Sequence, residues 1–388
     1  MSADAGRPHG DRGRAFATYL AERRPIIEAY LAEHKPTPLP DETPADSDLE
    51  RYLYQPFARF VASGGKRTRL ADVLPLATPF SVQIFPVYGC NLACAYCIHS
   101  VPTEQRGFVA GKVMLDDALY EKCIDGLAEF PRRLKMLRFA GTGEPLLHPH
   151  IADMVAYAAE RGVADTIDIV TNGLALTEEL SRALIAAQLG RIRISIQGLD
   201  DAAYAHTRRR GVFHELVEKI RFFYEHRGAT KIYVKIIDCA LQDGEEEVFL
   251  QTFGDISDFI AVEHLIPAVP QIDYDRLGGA ADVTQNGAAV GSAAVCPQPF
   301  YMMQLNPDGM IVPCCSMETP YILGDLAQES MRQIWQGRKM EAFRRAQLMF
   351  QKEKYSVCAK CRQYQYAMFE EDILDGDAAE LLTRGVIG

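Results

Sequence analysis

The chain has 388 residues, 48% of them hydrophobic and 24% charged, and a formal net charge of −11. That length allows two or three domains with a sizeable core, while the acidic balance argues against nucleic-acid phosphates as partners. The basic runs Lys66-Arg67-Thr68-Arg69 and Arg208-Arg209-Arg210 read as solvated faces or local anion sites. No N-terminal apolar core and no apolar run of membrane-spanning length occurs, so a cytoplasmic protein with no membrane partner is expected.

Residues 1–78 are expected to be helix and loop. Phe16, Tyr19, Leu20, Ile27, Tyr30 and Leu31 recur at roughly helical spacing, although Pro25 works against one continuous helix. A Pro/Asp/Glu-rich linker at 36–48 leads to a second helical stretch at 49–62 and then to Gly64-Gly65-Lys66-Arg67. With Leu53-Tyr54-Gln55-Pro56-Phe57, that segment resembles the start of a trans-polyprenyl diphosphate synthase. The aspartate-rich DDxxD motifs that hold magnesium diphosphate in that family are absent downstream. The segment is therefore read as a helical extension packed on the next domain, and prenyl transfer is rejected.

From 79 to 270 the chain alternates. Apolar, β-branched runs at 82–87, 134–140, 166–170, 191–196, 231–237 and 259–265 are separated by helical stretches such as 115–128, 151–160 and 178–188. This alternation predicts a parallel sheet with helices outside. Six units are too few to close an ordinary eight-stranded barrel, so an α/β partial (β/α)6 barrel is expected, with chemistry at the C-terminal strand ends. Residues 271–388 form a third part. A Gly/Ala-rich loop at 277–294 opens it, five cysteines follow, and helical segments around 331–348 and 364–384 close it.

Ten cysteines in a reducing compartment point to metal ligation rather than disulfides. Cys90, Cys94 and Cys97 lie within eight residues, just after the first strand run. One loop of that spacing wraps three irons of a [4Fe–4S] cube and leaves the fourth iron without a protein ligand. An open coordination position separates a reactive centre from a structural one. The run Cys-Asn-Leu-Ala-Cys-Ala-Tyr-Cys resembles the CxxxCxxC signature of the radical S-adenosylmethionine (SAM) enzymes, with Tyr96 as the aromatic before the third cysteine. The resemblance implies that the open iron binds the amino and carboxylate groups of SAM. Reductive cleavage then gives a 5′-deoxyadenosyl radical that takes a hydrogen atom from substrate. The partial barrel is this superfamily's fold, and a flavodoxin- or ferredoxin-type reductant is the implied partner.

The strand ends carry further candidates. Gly141-Thr142-Gly143-Glu144-Pro145 follows the second strand, and its glycines allow close backbone approach. Thr142-Gly143-Glu144-Pro145 resembles the family's GGEP-type motif, which implies that Glu144 and the turn bind the SAM amino group. Thr171-Asn172-Gly173 ends the third strand, and resemblance places Asn172 near the SAM ribose. Ser195 at the fourth strand end is implied as a SAM contact. Arg210, before Gly211, stands where related enzymes place an arginine on the SAM carboxylate, a pairing that suits a bidentate guanidinium; Arg208 and Arg209 leave that choice open. Asp238 and Cys239 end the fifth strand. Cys239 is either a hydrogen-atom donor to a substrate radical or a small buried residue. Asp238, like Glu263 and His264 at the sixth strand end, is a candidate for holding a substrate hydroxyl or amine.

Cys296, Cys314, Cys315, Cys358 and Cys361 lie in the last part. Twelve residues separate Cys296 from Gly309, four separate Gly309 from Cys314, and Asn306-Pro307-Asp308-Gly309 reads as a hairpin turn between 302–305 and 310–312. The layout resembles the SPASM/twitch extension of radical SAM enzymes. No cysteine follows Cys361, so Cys296, Cys314, Cys358 and Cys361 imply a single auxiliary [4Fe–4S] cluster, with Cys315 as the substitute for Cys314. A zinc site is the competing reading, but all-cysteine zinc sites usually show two CxxC knuckles and only Cys358–Cys361 is one. The whole looks most like 2-deoxy-scyllo-inosamine dehydrogenase and related radical SAM enzymes of aminoglycoside biosynthesis. Oxidation of a secondary alcohol on a sugar or aminocyclitol is therefore expected, with the fully ligated second cluster accepting an electron. The alternatives are carbohydrate epimerisation or deoxygenation, modification of a ribosomal peptide, and a non-enzymatic Fe–S electron carrier.

Overall fold

The computed structural model describes residues 68–385 apart from 206–210, 280–281, 286 and 288. The expected N-terminal helices, the Gly64-Gly65-Lys66-Arg67 segment and Arg208, Arg209 and Arg210 lie outside the described residues. Six parallel strands fall on the expected runs: β1 (Ser81–Ile84), β2 (Met136–Phe139), β3 (Ile167–Thr171), β4 (Arg191–Ile196), β5 (Lys231–Ile237) and β6 (Phe259–Glu263). Between them lie α1 (Asp117–Ala128), α2 (Ile151–Arg161), α3 (Glu178–Ala186), α4 (Val212–His226) and α5 (Glu245–Phe253). Local signals set the helix ends. The Asp116 carboxylate accepts from Ala118 N and Leu119 N at the start of α1, Thr177 caps α3, and Gly162 ends α2 at φ 58°.

The sheet runs β6-β5-β4-β3-β2-β1 and does not close, as expected for a partial barrel. It also runs further than the sequence pattern indicates. The hairpin β7 (Met302–Leu305) and β8 (Met310–Val312) does form, and β7 pairs in parallel with β1, from Ser81↔Met302 to Ile84↔Leu305. β8 and β9 (Gly324–Asp325) continue the sheet antiparallel. Without β7, β1 would be an edge strand with unpaired N–H and C=O groups. Gly309 makes the turn at φ 86°, and its N–H donates to Asn306 O at 3.0 Å.

Strand residues alternate between two environments. Ile192, Ile194 and Ile196 of β4 are fully buried in the main core, with Val82 and Ile84 of β1 and Leu137 and Phe139 of β2. Helix residues such as Tyr120, Ile124, Met154, Val155, Leu216 and Ile220 complete that core. Burying each large aliphatic side chain contributes about 1.5–3 kcal/mol. The expected 331–348 helix is two helices, α6 (Met331–Trp335) and α7 (Arg338–Leu348). Gly337 marks the break, where a Cβ would lie 2.7 Å from Gln333 O. The expected 364–384 segment is likewise broken, with helix at Gln363–Ala367 and Ala378–Arg384. A second core joins Leu70, Ala71 and Leu74 to Phe300, Leu348 and Leu381. Around it, Arg69 pairs with Asp377 at 2.7 Å and Arg384 Nη1 donates to Ala71 O at 2.8 Å and Leu74 O at 3.0 Å. No helix among the described residues is long and apolar enough to cross a membrane.

Candidate active site and second cysteine site

The loop after β1 folds back on itself. Cys97 N donates to Cys94 O at 2.9 Å, and the Ser100 hydroxyl donates to Cys97 O at 2.8 Å and Ala95 O at 3.1 Å. Burial pushes the Cys90 thiol up to about 11; the Leu92 N–H opposes this, and the charges of Glu144 and Cys97 add to it. Burial pushes the Cys94 thiol up to about 12, with Cys97 and Cys90 adding to it. Three half-buried thiols that repel one another as thiolates fit a shared cationic centre, because metal ligation drives deprotonation and offsets the repulsion.

The turn after β2 docks on this loop backbone to backbone. Glu144 N donates to Gly89 O at 2.8 Å, and His99 Nε2 bonds Thr142 O at 3.0 Å. Gly141 is at φ 138°, and a Cβ there would lie 2.4 Å from the Phe85 ring. At Gly143 a Cβ would lie 1.9 Å from Val87 O. Glu144 is 2% exposed. Its carboxylate accepts from Thr171 Oγ1 at 2.6 Å, Asn172 N at 2.8 Å and Leu146 N at 2.9 Å. Burial pushes this carboxyl up, and the three donors oppose that shift without cancelling it.

Asn172 ties β3 to the same loop. Its Nδ2 donates to Asn91 Oδ1 at 2.8 Å and lies 3.7 Å from Cys90 Sγ, while its Oδ1 accepts from Leu174 N at 3.0 Å. Ser195 is half-buried on β4, on the strand face shared by Arg191 and Arg193, and pairs in register with Lys235 of β5. Tyr96 OH donates to Gln197 Oε1, whose own N–H donates to Tyr204 OH at 3.0 Å, so the aromatic before the third cysteine is tied to the end of β4. Arg210 lies outside the described residues.

The ends of β5 and β6 close on the cysteine loop from the other side. Cys239 and Ile237 pack in one cluster with Tyr96, Cys97, Ile98 and Leu265. Asp238 Oδ2 lies 2.9 Å from His264 Nδ1, and Asp238 Oδ1 accepts from Leu265 N at 2.9 Å and Cys239 N at 2.8 Å. Burial pushes the Asp238 carboxyl up, but the His264 hydrogen bond and the two amides outweigh it and hold it below its usual range. Glu263 is taken by Lys235 at 2.6 Å and is no equal of His264 as an acid–base group.

Beneath this mouth the sheet's inner face is charged. Asp168 of β3 is fully buried and meets Arg138 of β2 at 2.9 Å and Arg191 and Arg193 of β4 at 3.1 and 3.0 Å. Beside Arg138 lies Gln83 of β1, whose Nε2 donates to Gln304 Oε1 of β7 at 2.9 Å. Sequence reasoning missed this belt, as it missed His99 and Gln197. The signal was present in β4, where Arg191-Ile192-Arg193-Ile194-Ser195 alternates with period two; a parallel strand buried on two apolar faces reads as continuously hydrophobic.

The second cysteine set opens at the hairpin. Cys296, Cys314, Cys358 and Cys361 line one cavity, with Pro299, Phe343, Gln347, Lys352 and Tyr364 among its other walls. Cys315 is not among the lining residues; its thiol donates to Gln298 Oε1 at 3.9 Å, and the charge of Arg138 acts on it. Among the described residues no three His, Cys, Asp or Glu side chains gather closely enough to hold a single metal ion. Four thiols lining one cavity fit a cube ligated at its corners. Cys314→Ala is expected to lose the auxiliary cluster's iron, and Cys315→Ala to retain it, in an iron and sulfide count per reconstituted chain. Equal iron in the two variants would overturn this assignment.

Comparison with known proteins agrees with this arrangement. Residues 84–264 match the radical SAM superfamily, and residues 296–362 match SPASM, an iron-sulfur cluster-binding domain. A tungsten-containing aldehyde ferredoxin oxidoreductase cofactor-modifying protein of Pyrococcus furiosus is 25% identical over 316 residues, 70% of this chain and 84% of that protein. Streptococcus suis SuiB bound to S-adenosylmethionine shares the fold, with a TM-score of 0.54 at 14% identity over 94% of this chain and 88% of that one. Native anSMEcpe with bound AdoMet does so with a TM-score of 0.53 at 14% identity over 79% and 98%. The chain thus carries a radical SAM domain, which implies S-adenosylmethionine and a [4Fe–4S] cluster as cofactors, and a C-terminal SPASM domain, which implies auxiliary iron–sulfur ligation.

Proposed function

We propose that this enzyme is an oxidoreductase that converts a secondary alcohol of a polar small molecule, such as a sugar or aminocyclitol, to a ketone. The observation that carries the reading is the Asp238–His264 pair at the strand ends that pack against Tyr96 and Cys97. The charged lining at Arg193, Lys235 and Glu263 supports a polar substrate rather than a greasy one. The cofactor-modifying name of the Pyrococcus relative supports a small molecule over a peptide.

When bound, SAM and the first cluster supply a hydrogen-abstracting 5′-deoxyadenosyl radical, and the auxiliary cluster supplies an acceptor for one electron. Cys90, Cys94 and Cys97 hold the first cluster, and Cys296, Cys314, Cys358 and Cys361 the second. The turn at Gly141, Thr142, Gly143 and Glu144, with Tyr96, Asn172 and Ser195, would form the SAM site, and Arg210 is the proposed partner of the SAM carboxylate. Asp238 accepts the Nδ1 proton of His264 and fixes that tautomer, which leaves Nε2 to take the substrate hydroxyl proton. The substrate thus loses a hydrogen atom, a proton and an electron, which together make a two-electron oxidation. A flavodoxin- or ferredoxin-type protein is the proposed source of the priming electron.

In Asp238→Asn and His264→Gln we expect 5′-deoxyadenosine to form as in the parent chain while ketone falls by about 10²–10⁴-fold. Ketone trapped with a hydrazine reagent and the nucleoside measured by chromatography check this on a panel of polyols and aminocyclitols. Undiminished ketone, or nucleoside formed only with added peptide, would defeat the proposal. A second reading, redox-neutral epimerisation, draws on Cys239, which packs beside Tyr96 and Cys97 as a hydrogen donor would need to. Cys239→Ala separates the two: continued ketone formation, one per SAM, favours oxidation, and loss of an inverted product favours epimerisation.

A further inference from the structure

Gln347 lies on α7 and is 1% exposed, and neither its Nε2 nor its Oε1 has a hydrogen-bond partner among the described residues. It also lines the cavity formed by Cys296, Cys314, Cys358 and Cys361. A buried amide left unpaired costs roughly 1–3 kcal/mol per group, so it is retained only where something repays the cost. Two other polar walls are already engaged. Lys352 Nζ donates to Tyr364 OH at 3.1 Å, and Tyr364 OH donates to Ala293 O at 2.7 Å. The Gln298 backbone N–H faces Cys296, and its Oε1 accepts from the Cys315 thiol at 3.9 Å. Among the described lining residues, the fully buried side-chain amide without a hydrogen-bond partner is that of Gln347.

We propose that Gln347 donates its Nε2–H to a sulfur of the auxiliary cluster and thereby raises that cluster's reduction potential. The inference rests on the four-cysteine cavity holding a cluster and does not depend on the substrate. A reduced cube carries one more negative charge than an oxidised one, and a fixed N–H donor stabilises the more negative state. Polar protein dipoles act strongly there because Pro299, Phe343 and Val357 make part of the wall apolar. Gln347 is thus a positioning residue for the electron acceptor and touches no substrate.

The test is a potentiometric titration of the auxiliary cluster by electron paramagnetic resonance, on full-length reconstituted chain carrying Cys90→Ala, Cys94→Ala and Cys97→Ala so that one cluster signal remains. Gln347→Leu removes the donor, and electron uptake should weaken roughly tenfold, a fall of about 59 mV for one electron. Gln347→Met also removes the donor, at similar volume and with no charge added, so its midpoint should fall as far. Iron content read beside each titration separates tuning from collapse. Unchanged midpoints with iron retained overturn the proposal. Loss of iron from both variants also overturns it, because the amide would then be holding the cavity's shape. If the leucine variant alone fails to fold, the methionine variant decides by the sign of its shift.

Discussion

Gly143→Ala should cut 5′-deoxyadenosine formation by about 100-fold or more and lower iron at the first site. The added Cβ would lie 1.9 Å from Val87 O and 3.0 Å from Gly89 N and O. Those are backbone atoms of the cysteine loop, which cannot swing aside as a flexible side chain does. The turn must therefore lift, breaking the Glu144 N to Gly89 O bond and the His99 contact to Thr142 O. Lifting also pulls Glu144 away from Thr171 and Asn172, and Asn172 is the residue beside Cys90. A displacement near 1 Å in a reacting assembly costs on the order of 100-fold. Gly291→Ala serves as the control, since a Cβ there meets nothing within 4 Å. Anaerobic reconstitution with iron counting and a SAM-cleavage assay reads both variants, and parent-like cleavage by Gly143→Ala would show that the two loops do not depend on this contact.

That contact illustrates which parts of the protein were legible in the sequence. Cys90, Cys94 and Cys97 are close in sequence, so their spacing alone brings them together. Glu144 was legible because a motif marks it, but its partners Thr171, Asn172 and Leu146 depend on β2 lying beside β3. The six strands were legible from β-branched runs, whereas the pairing of β7 with β1 was not, because a four-residue apolar run carries no mark of its neighbour. Cys314 and Cys315 are adjacent and chemically identical. Only the path of the chain leaving β8 puts Cys314 in the cavity wall and sets the Cys315 thiol on the side chain of Gln298, which itself lines that cavity. The Asp238–His264 pair spans 26 residues and joins two strand ends that no short motif connects. Gln347 was invisible, since a glutamine on a helix is ordinarily solvent-facing and its meaning here comes from being buried in the wall of the cavity that four cysteines line.

Asp168→Asn is expected to destabilise the fold by about 3–5 kcal/mol at neutral pH. The carboxylate is fully buried, and Arg138, Arg191 and Arg193 meet it at 25%, 11% and 15% exposure. Burial alone would push its pKa up, but the three guanidinium charges outweigh burial and hold it well below the usual carboxylate range. A depressed folded pKa contributes stability that is fully present above the unfolded value of about 3.9 and is lost as pH falls through the folded value. The parent chain should therefore keep this term across pH 5–8 and lose it only in strong acid. The asparagine variant lacks the negative charge at every pH and leaves three cations facing one another. Its melting temperature should be roughly 10 °C lower at pH 7, at about 2–4 °C per kcal/mol for a domain of this size. Because the parent alone has the carboxylate to protonate, the gap should narrow only below about pH 4. Thermal denaturation of both reconstituted chains between pH 3 and 8 checks the magnitude and the pH window together. A shift under about 2 °C at pH 7, or a gap that closes near neutrality, would mean that the belt is not held together by Asp168.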